Sequence, residues 1–163
     1  MSWIVGVDFS TKAIDFVYID ENDVEAPRWN RCHLEGADAW ERTRELSRQP
    51  GWPSWMWDDV LAIGIEDPAG NHGTNYLYRV QGAILARIPR SILVQPWRPS
   101  QWRKAVGLPG NCTKQDVQDF SRVHSGSFFH VTPYDTSAWS ADAHDAFCIA
   151  LATRQAITRE EAA

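Results

Sequence analysis

Trp3-Ile4-Val5-Gly6-Val7-Asp8-Phe9-Ser10-Thr11-Lys12-Ala13-Ile14-Asp15-Phe16-Val17-Tyr18-Ile19 begins the chain with two apolar runs on either side of a short polar turn. Runs rich in β-branched and aromatic residues, bounded by turn formers, read as strands, so Trp3 to Val7 and Ala13 to Ile19 are expected to pair as an antiparallel hairpin. The first strand also delivers a carboxylate, Asp8, out of an apolar setting in which an unpaired charge is costly.

Working outward, Arg28 to Glu35 reads as a third strand. Ala37 to Arg48 reads as a helix with Ala37, Trp40, Arg44 and Ser47 at helical spacing, stopped by Pro50-Gly51. Trp52-Pro53-Ser54-Trp55-Met56-Trp57 is read as an aromatic packing plug, and Val60 to Ile65 as a buried strand ending at Glu66. Beyond the loop Pro68 to Gly73, a helix over Thr74 to Ile88 puts Leu77, Val80, Ile84 and Ile88 on one stripe, with Gly82, Ala83 and Ala86 beside it. That stripe is expected to meet its counterpart in a second copy of the chain. Tyr76 and Tyr78 are expected in the core or at the same contact.

Pro89 ends this helix, Ser91 to Gln95 reads as a fifth strand, and Gln101 to Val106 as a short helix. Thr113-Lys114-Gln115-Asp116 resembles a capping box opening a helix to about Val123, and a last helix runs from about Ser140 to Ala156. With no repeat or linker in between, the chain is expected to form one α/β domain over residues 1–163: a five-stranded mixed sheet in the order β1β2β3αβ4αβ5α, flanked by helices.

The chain has 163 residues, 44% apolar and 23% charged, enough for one sizeable core and too few for two ordinary domains. The longest apolar runs, such as Ala146 to Ala152, fall far short of the roughly 18 residues of a membrane span, and Asp8 and Lys12 interrupt any leader-like stretch. Cys32, Cys112 and Cys148 are odd in number and far apart, which suits buried thiols in a reducing cytoplasm better than a disulfide framework. The net charge of −5 conceals an uneven distribution. Residues 1–78 carry 6 basic and 14 acidic side chains, residues 79–122 carry 8 and 2, and residues 123–163 carry 2 and 5. Thirteen of the sixteen cations are Arg, whose planar fork suits phosphate, so the basic middle third is a candidate nucleic-acid surface.

Four acids stand where regular elements aim side chains: Asp8 after the first strand, Glu66 after the fourth, and Asp142 and Asp145 at the start of the last helix. Three positions along a helix turn a side chain by about 60°, so Asp142 and Asp145 share a face near the helix N-terminus. Four carboxylates within reach of one another repel unless cations join them, and all-oxygen ligands favour Mg²⁺ or Mn²⁺. The set is a candidate two-metal site. Taken singly, each acid has a bland alternative as a turn former or a first-turn dipole partner.

Val5-Gly6-Val7-Asp8-Phe9-Ser10, Ile63-Gly64-Ile65-Glu66, Ala105-Val106-Gly107-Leu108-Pro109-Gly110-Asn111-Cys112-Thr113-Lys114 and Ala141-Asp142-Ala143-His144-Asp145-Ala146-Phe147-Cys148-Ile149-Ala150 resemble, in order and spacing, four successive blocks of RuvC-type Holliday-junction resolvases of the ribonuclease H superfamily. The resemblance implies a ribonuclease H-like fold and a phage or bacterial, homodimeric endonuclease that nicks two opposed strands of a four-way DNA junction. It further implies two Mg²⁺ per active site, with Mn²⁺ as a substitute, held by Asp8, Glu66, Asp142 and Asp145. One ion would activate water while the other stabilises the departing 3′-oxygen, leaving 5′-phosphate and 3′-hydroxyl ends. By the same resemblance Lys114 lies near the scissile phosphate and Arg103 or Lys104 supplies a second basic position; both belong to the basic middle third. A branch-migration helicase is left open as a partner.

The chain departs from the pattern at Glu66-Asp67-Pro68-Ala69-Gly70, where the family commonly has an aromatic wedge after the second acid, so cleavage is expected to tolerate local sequence. Asn71 and His72 in this loop are candidate DNA contacts. His144, between the two helix acids, points about 100° from Asp145 and is read as a partly buried or surface hydrogen-bonding group, with a place at the metal site, where some superfamily members use a histidine, as the alternative. Two other function classes compete. A phosphotransferase of the actin and sugar-kinase superfamily also ends its first strand in Asp, but Asp8-Phe9-Ser10-Thr11-Lys12 lacks the phosphate-loop glycine and 163 residues cannot supply two lobes. A catalytically idle junction-binding protein would keep the basic segment without needing four acids, and a relative cutting other branched DNA or RNA would keep both.

Overall fold

A computed structural model describes residues 2–23, 27–48, 52, 56–68, 74–126 and 138–161. The opening hairpin forms β1 (Trp3–Phe9) and β2 (Ala13–Asp20), with Ser10 closing the turn through its hydroxyl, which accepts from the Lys12 and Ala13 amides at 3.1 Å. Next come β3 (Arg28–His33), α1 (Ala39–Arg48), β4 (Val60–Glu66), α2 (Thr74–Leu85) and β5 (Leu93–Trp97). The helices α3 (Pro99–Ala105), α4 (Lys114–His124) and α5 (Ala141–Glu161) complete the chain. The sheet order is β3-β2-β1-β4-β5, with β1–β2 and β2–β3 antiparallel and β1–β4 and β4–β5 parallel. The expected five-stranded mixed sheet and its element order are therefore present.

Strand alternation divides the apolar residues into two cores. Val5, Val7, Phe16, Ile63 and Ile65 face one side with α1, α2, Met56 and Trp52, while Ile4, Val17 and Ile19 face the other with α3, α4 and α5. Trp52 stands edge-on to Phe16 with ring centroids 5.0 Å apart, which makes the described part of the aromatic stretch a packing plug as expected.

Several expectations are corrected. The stripe Leu77, Val80, Ile84 and Ile88 does not face a second copy: Val80, Ile84 and Ile88 are buried against this chain's own sheet, with Leu77 partly buried beside them. Tyr76 and Tyr78 are 41% and 48% exposed, so neither belongs to the core. In α1 the inward face is Thr43 and Leu46, and Trp40 is 53% exposed, because the sheet lies under the helix's other side. The fifth strand starts two residues later than the apolar run suggested, since Ser91 and Ile92 form the turn after α2 and Pro96 is accommodated in an edge strand. Of the three thiols only Cys148 is buried; Cys32 and Cys112 are half-buried. Among the described residues no helix is long and apolar enough to cross a membrane.

Candidate active site

Asp8, two residues beyond Gly6 on the α5-facing side of β1, is 6% exposed and accepts a hydrogen bond from the Phe9 amide at 2.9 Å. Glu66 ends the neighbouring parallel strand β4 on the same side, and its Oε2 accepts from Trp102 Nε1 at 3.3 Å. Trp102 is the fully buried residue of α3, which opens at Pro99 with Arg98 at its cap, so a side chain from the helix after β5 holds the Glu66 carboxylate. Asp142 and Asp145 come from the first turn and a half of α5, with Asp145 buried and Asp142 half-buried. Lys114, at the start of α4, reaches them with Nζ 3.3 Å from Asp142 Oδ1 and 3.8 Å from Asp145 Oδ2. The expected capping box is present: Thr113 Oγ1 accepts from the Asp116 amide at 3.2 Å, and Asp116 accepts from the Thr113 amide at 2.8 Å.

The four acids act on one another. Burial, followed by repulsion from Glu66, Asp145 and Asp142, raises the Asp8 carboxyl well above the usual range. Burial is also the first cause pushing Glu66 up to about 7, with Asp145 adding to it and the Trp102 hydrogen bond, Arg103 and Lys114 opposing. Burial pushes Asp145 up to about 6 against the attraction of Lys114 and Arg103. At Lys114 burial disfavours the charge, but Asp145 and Asp142 outweigh it and raise the ammonium's pKa. The ends of the interior strands β1 and β4 and the head of α5 thus gather four carboxyl groups that Lys114 and Arg103 only partly balance.

That donor set, all carboxylate oxygens from three elements, is of the hard type that suits Mg²⁺ or Mn²⁺. As the side chains lie, however, no three His, Cys, Asp or Glu groups among the described residues are disposed to hold an ion, and the Lys114 ammonium occupies the cationic role beside Asp142 and Asp145. The residues fit a divalent cation by the chemistry of their donors, and holding one would require Lys114 to leave Asp142 and Asp145.

Of the other candidates, Arg103 attracts Glu66 and Asp145 and donates to the Gly110 carbonyl at 3.4 Å, which joins α3 to the loop before α4. Lys104 is exposed beside it. Asn71, His72 and Ala69 lie outside the described residues. His144 points away from the carboxylates. It is 1% exposed, its Nδ1 lies 3.0 Å from Ser121 Oγ on α4, and its ring packs near Trp139; burial, then Arg122, lowers its pKa to about 4.

Sequence reasoning missed Asp15. It is fully buried and sits opposite Asp8 in the β1–β2 register, on the same face. Burial raises its pKa, while Trp29, Arg31 and Ser140 oppose that rise. Its position at the third residue of an otherwise apolar strand, Ala13-Ile14-Asp15-Phe16-Val17, is the signal that was available.

The order β3-β2-β1-β4-β5 with acids at the ends of β1 and β4 and at the head of α5 defines a ribonuclease H-like α/β fold. Within that class the chain is similar to RuvC of Thermus thermophilus, at a TM-score of 0.69 and 16% identity over 97% of this chain and 96% of that one. It is also similar to T. thermophilus RuvC in complex with a Holliday junction substrate, at a TM-score of 0.64 and 15% identity over 98% and 96% of the two chains. The fowlpox virus resolvase in complex with Holliday junction DNA matches at 0.56 and 13% over 95% and 98%. No protein-family model matches the chain, and no curated protein matches its sequence. At these identities the likeness establishes the fold.

Proposed function

We propose that this chain is a Mg²⁺-dependent, structure-selective endonuclease that resolves four-way DNA junctions by paired nicks, with residues 1–163 acting as one nuclease domain in the cytoplasm. The observation that carries this reading is the convergence of Asp8, Glu66, Asp142 and Asp145 from β1, β4 and α5, with Asp142 and Asp145 both against the Lys114 ammonium and close enough, with Glu66, to repel the Asp8 carboxylate. The similarity in fold to RuvC and to resolvases solved with junction DNA supports the substrate class.

Asp8, Glu66, Asp142 and Asp145 would hold up to two divalent ions, which when bound supply an activated water for in-line attack and charge stabilisation at the leaving 3′-oxygen. The chain's own side chains do the remaining work. Trp102 holds Glu66 at the end of β4, and Gly6 and Gly64 let α5 bring its acids against the sheet. Lys114, which in this structure pairs with Asp142 and Asp145, would contact the scissile phosphate when divalent ions took its place beside those acids, and Arg103 and Lys104 on α3 would extend the cationic surface. Asn71 and His72 are proposed as further DNA contacts. The products would be 5′-phosphate and 3′-hydroxyl ends. Two symmetric cuts require two sites, so a homodimer is part of the proposal. Its contact is α2's outer side, where Tyr78 and Leu85 are 48% and 39% exposed.

A second reading is favoured by the Lys114 ion pairs. If the ammonium stays in place, the chain binds junctions without cutting them. One assay separates the two: labelled four-way junction, three-way flap, duplex and RNA–DNA hybrid incubated with wild type and Asp8→Asn across a Mg²⁺ titration. Symmetric nicking of the four-way junction by wild type alone supports the nuclease. Tight junction binding with no cleavage at any Mg²⁺ or Mn²⁺ concentration supports the idle binder. Preferential cutting of flap or hybrid moves the substrate to a relative's.

A further inference from the structure

The Asp15 carboxylate is enclosed between β3 and the head of α5. Its Oδ1 accepts from Trp29 Nε1 at 2.8 Å and from Ser140 Oγ at 3.1 Å, and its Oδ2 lies 3.3 Å from Arg31 Nη1. Ser140 immediately precedes α5, and its hydroxyl also accepts from the Ala143 amide at 3.0 Å, which is the geometry of a helix N-cap. The Ser140 carbonyl accepts from the His144 amide at 3.3 Å. Ser140 is therefore held from both sides: it donates to a carboxylate fixed in the sheet and accepts from the first turn that carries Asp142 and Asp145. A fully buried carboxylate at this spot is costly, and Trp29 and Arg31 offset that cost with groups from a neighbouring strand. An apolar residue would serve the core better, so the charge needs another reason to be here.

We propose that Asp15 is a positioning residue: through Ser140 it sets the direction of the first turn of α5 and so the placing of Asp142 and Asp145 against Asp8 and Glu66. The inference rests on the nuclease reading for its consequence, and on the hydrogen bonds alone for its structural half. Asp15 on β2 is the direct register partner of Asp8 on β1, so the hairpin that supplies one metal-site acid also fixes, from the facing position, the helix that supplies two more. Arg31 balances the fifth carboxylate, which would otherwise add to the repulsion among the four.

The test compares Asp15→Leu, which fills the space without an acceptor, with Asp15→Asn, which keeps an oxygen for Ser140 and Trp29. Ser140→Ala, Ser140→Thr and the double variant Asp15→Leu/Ser140→Ala complete the set. Amide exchange at Ala143 and His144 is followed together with global unfolding, and junction cleavage is resolved into kcat and KM. The expected result is faster exchange in the first turn of α5 than global stability explains, and a kcat lowered about tenfold at unchanged KM, in Asp15→Leu and Ser140→Ala. Asp15→Asn and Ser140→Thr should stay near wild type, and the double variant should be no worse than Ser140→Ala, because both changes break one connection. Exchange in the first turn that only follows global stability overturns the proposal, as does an unchanged kcat or an Asp15→Asn as impaired as Asp15→Leu. If Asp15→Leu does not fold, the contrast of Ser140→Ala with Ser140→Thr and of Asp15→Asn with wild type decides. A wild type that cuts no DNA overturns the nuclease reading instead, and the amide-exchange comparison then decides the role of Asp15 in holding α5.

Discussion

Gly6 of β1 and Gly64 of β4 are register partners in the parallel pair, and the backbone of α5 lies directly over both. A Cβ on Gly6 would run into the Ala146 carbonyl oxygen and come within 2.6 Å of the Ala150 nitrogen. One on Gly64 would overlap Thr153 Oγ1, itself held by Trp97 Nε1 at 2.9 Å, and come within 2.8 Å of Ile149 Cγ2. With Ala143, Ala146 and Ala150 on the facing side of α5, the contact is backbone close to backbone. That closeness lets short Asp side chains on the helix reach the ends of β1 and β4.

Gly6→Ala should therefore move α5 as a body, destabilising the fold by about 3 kcal/mol or more, as overpacking against rigid backbone does. Gly64→Ala should cost less, because a side chain and not a carbonyl is the first obstacle. Urea unfolding of the two variants checks the order. Equal, near-zero effects would mean that α5 sits farther from the sheet.

Much of this was legible in the chain. The apolar alternation around Asp8 and the turn residues Ser10-Thr11-Lys12 announced the hairpin, and Thr113 and Asp116 announced the start of α4. The acids at the strand and helix ends were visible because each interrupts an apolar pattern. The partner of an amphipathic stripe was not visible. Val80 and Ile84 look the same from sequence whether they meet their own sheet or a second copy, and only the three-dimensional position of β1 and β4 beneath α2 decides it. Asp15 was hidden for a related reason, since its partners Trp29, Arg31 and Ser140 lie 14, 16 and 125 positions away. The Lys114 contact with Asp142 spans 28 positions and joins two helix starts that no local pattern relates.

Glu66 supports a prediction about pH in metal-free protein. Its folded pKa of about 7 lies above the unfolded value of about 4.3, so it takes up a proton on folding. Its contribution is most favourable below the unfolded pKa and is lost as pH rises through the folded one. Glu66→Gln should consequently be more stable than wild type in EDTA by about 1–3 kcal/mol near pH 8, with the gap closing toward pH 4.5. His144 works in the opposite direction: its folded pKa is depressed to about 4, so it costs stability as pH falls below about 6.5. It is present in both proteins and cancels. Millimolar Mg²⁺ should shrink the gap at pH 8 by stabilising wild type alone. Denaturant titrations at both pH values measure this, and a gap independent of pH would mean that Glu66 is ordinarily ionised.

Lys114 and Arg103 carry a prediction about salt. Each phosphate contact releases condensed counterions, so removing both should flatten the plot of log affinity against log salt by about 2 units for duplex arms. Lys114→Ala should also raise the Asp145 carboxyl pKa, since the ammonium 3.8 Å away is the main charge holding it down. Junction binding by fluorescence anisotropy from low to moderate salt gives the slope. An unchanged slope in Lys114→Ala/Arg103→Ala places the DNA on another surface.

Assembly is the last prediction, and the burial of α2's inner stripe redirects it. Ile84 is fully buried against the sheet, so Ile84→Arg puts a guanidinium without a partner into the core and should unfold the chain without telling anything about a dimer. The informative positions lie on α2's outer side, where Tyr78 and Leu85 are exposed and Gly82 has nothing within 4 Å of where a Cβ would stand. Leu85 also borders a groove shared with Leu93 on the edge strand β5, which extends the apolar surface past the helix. Tyr78→Glu/Leu85→Glu should leave Tm within a few degrees of wild type, because exposed positions contribute little to the fold. It should convert a dimer to a monomer in sedimentation and turn paired incision of a four-way junction into single nicks. A double variant that remains dimeric and still cuts in pairs would move the two-fold contact to another face, and a wild type that sediments as a monomer on junction DNA would remove it altogether.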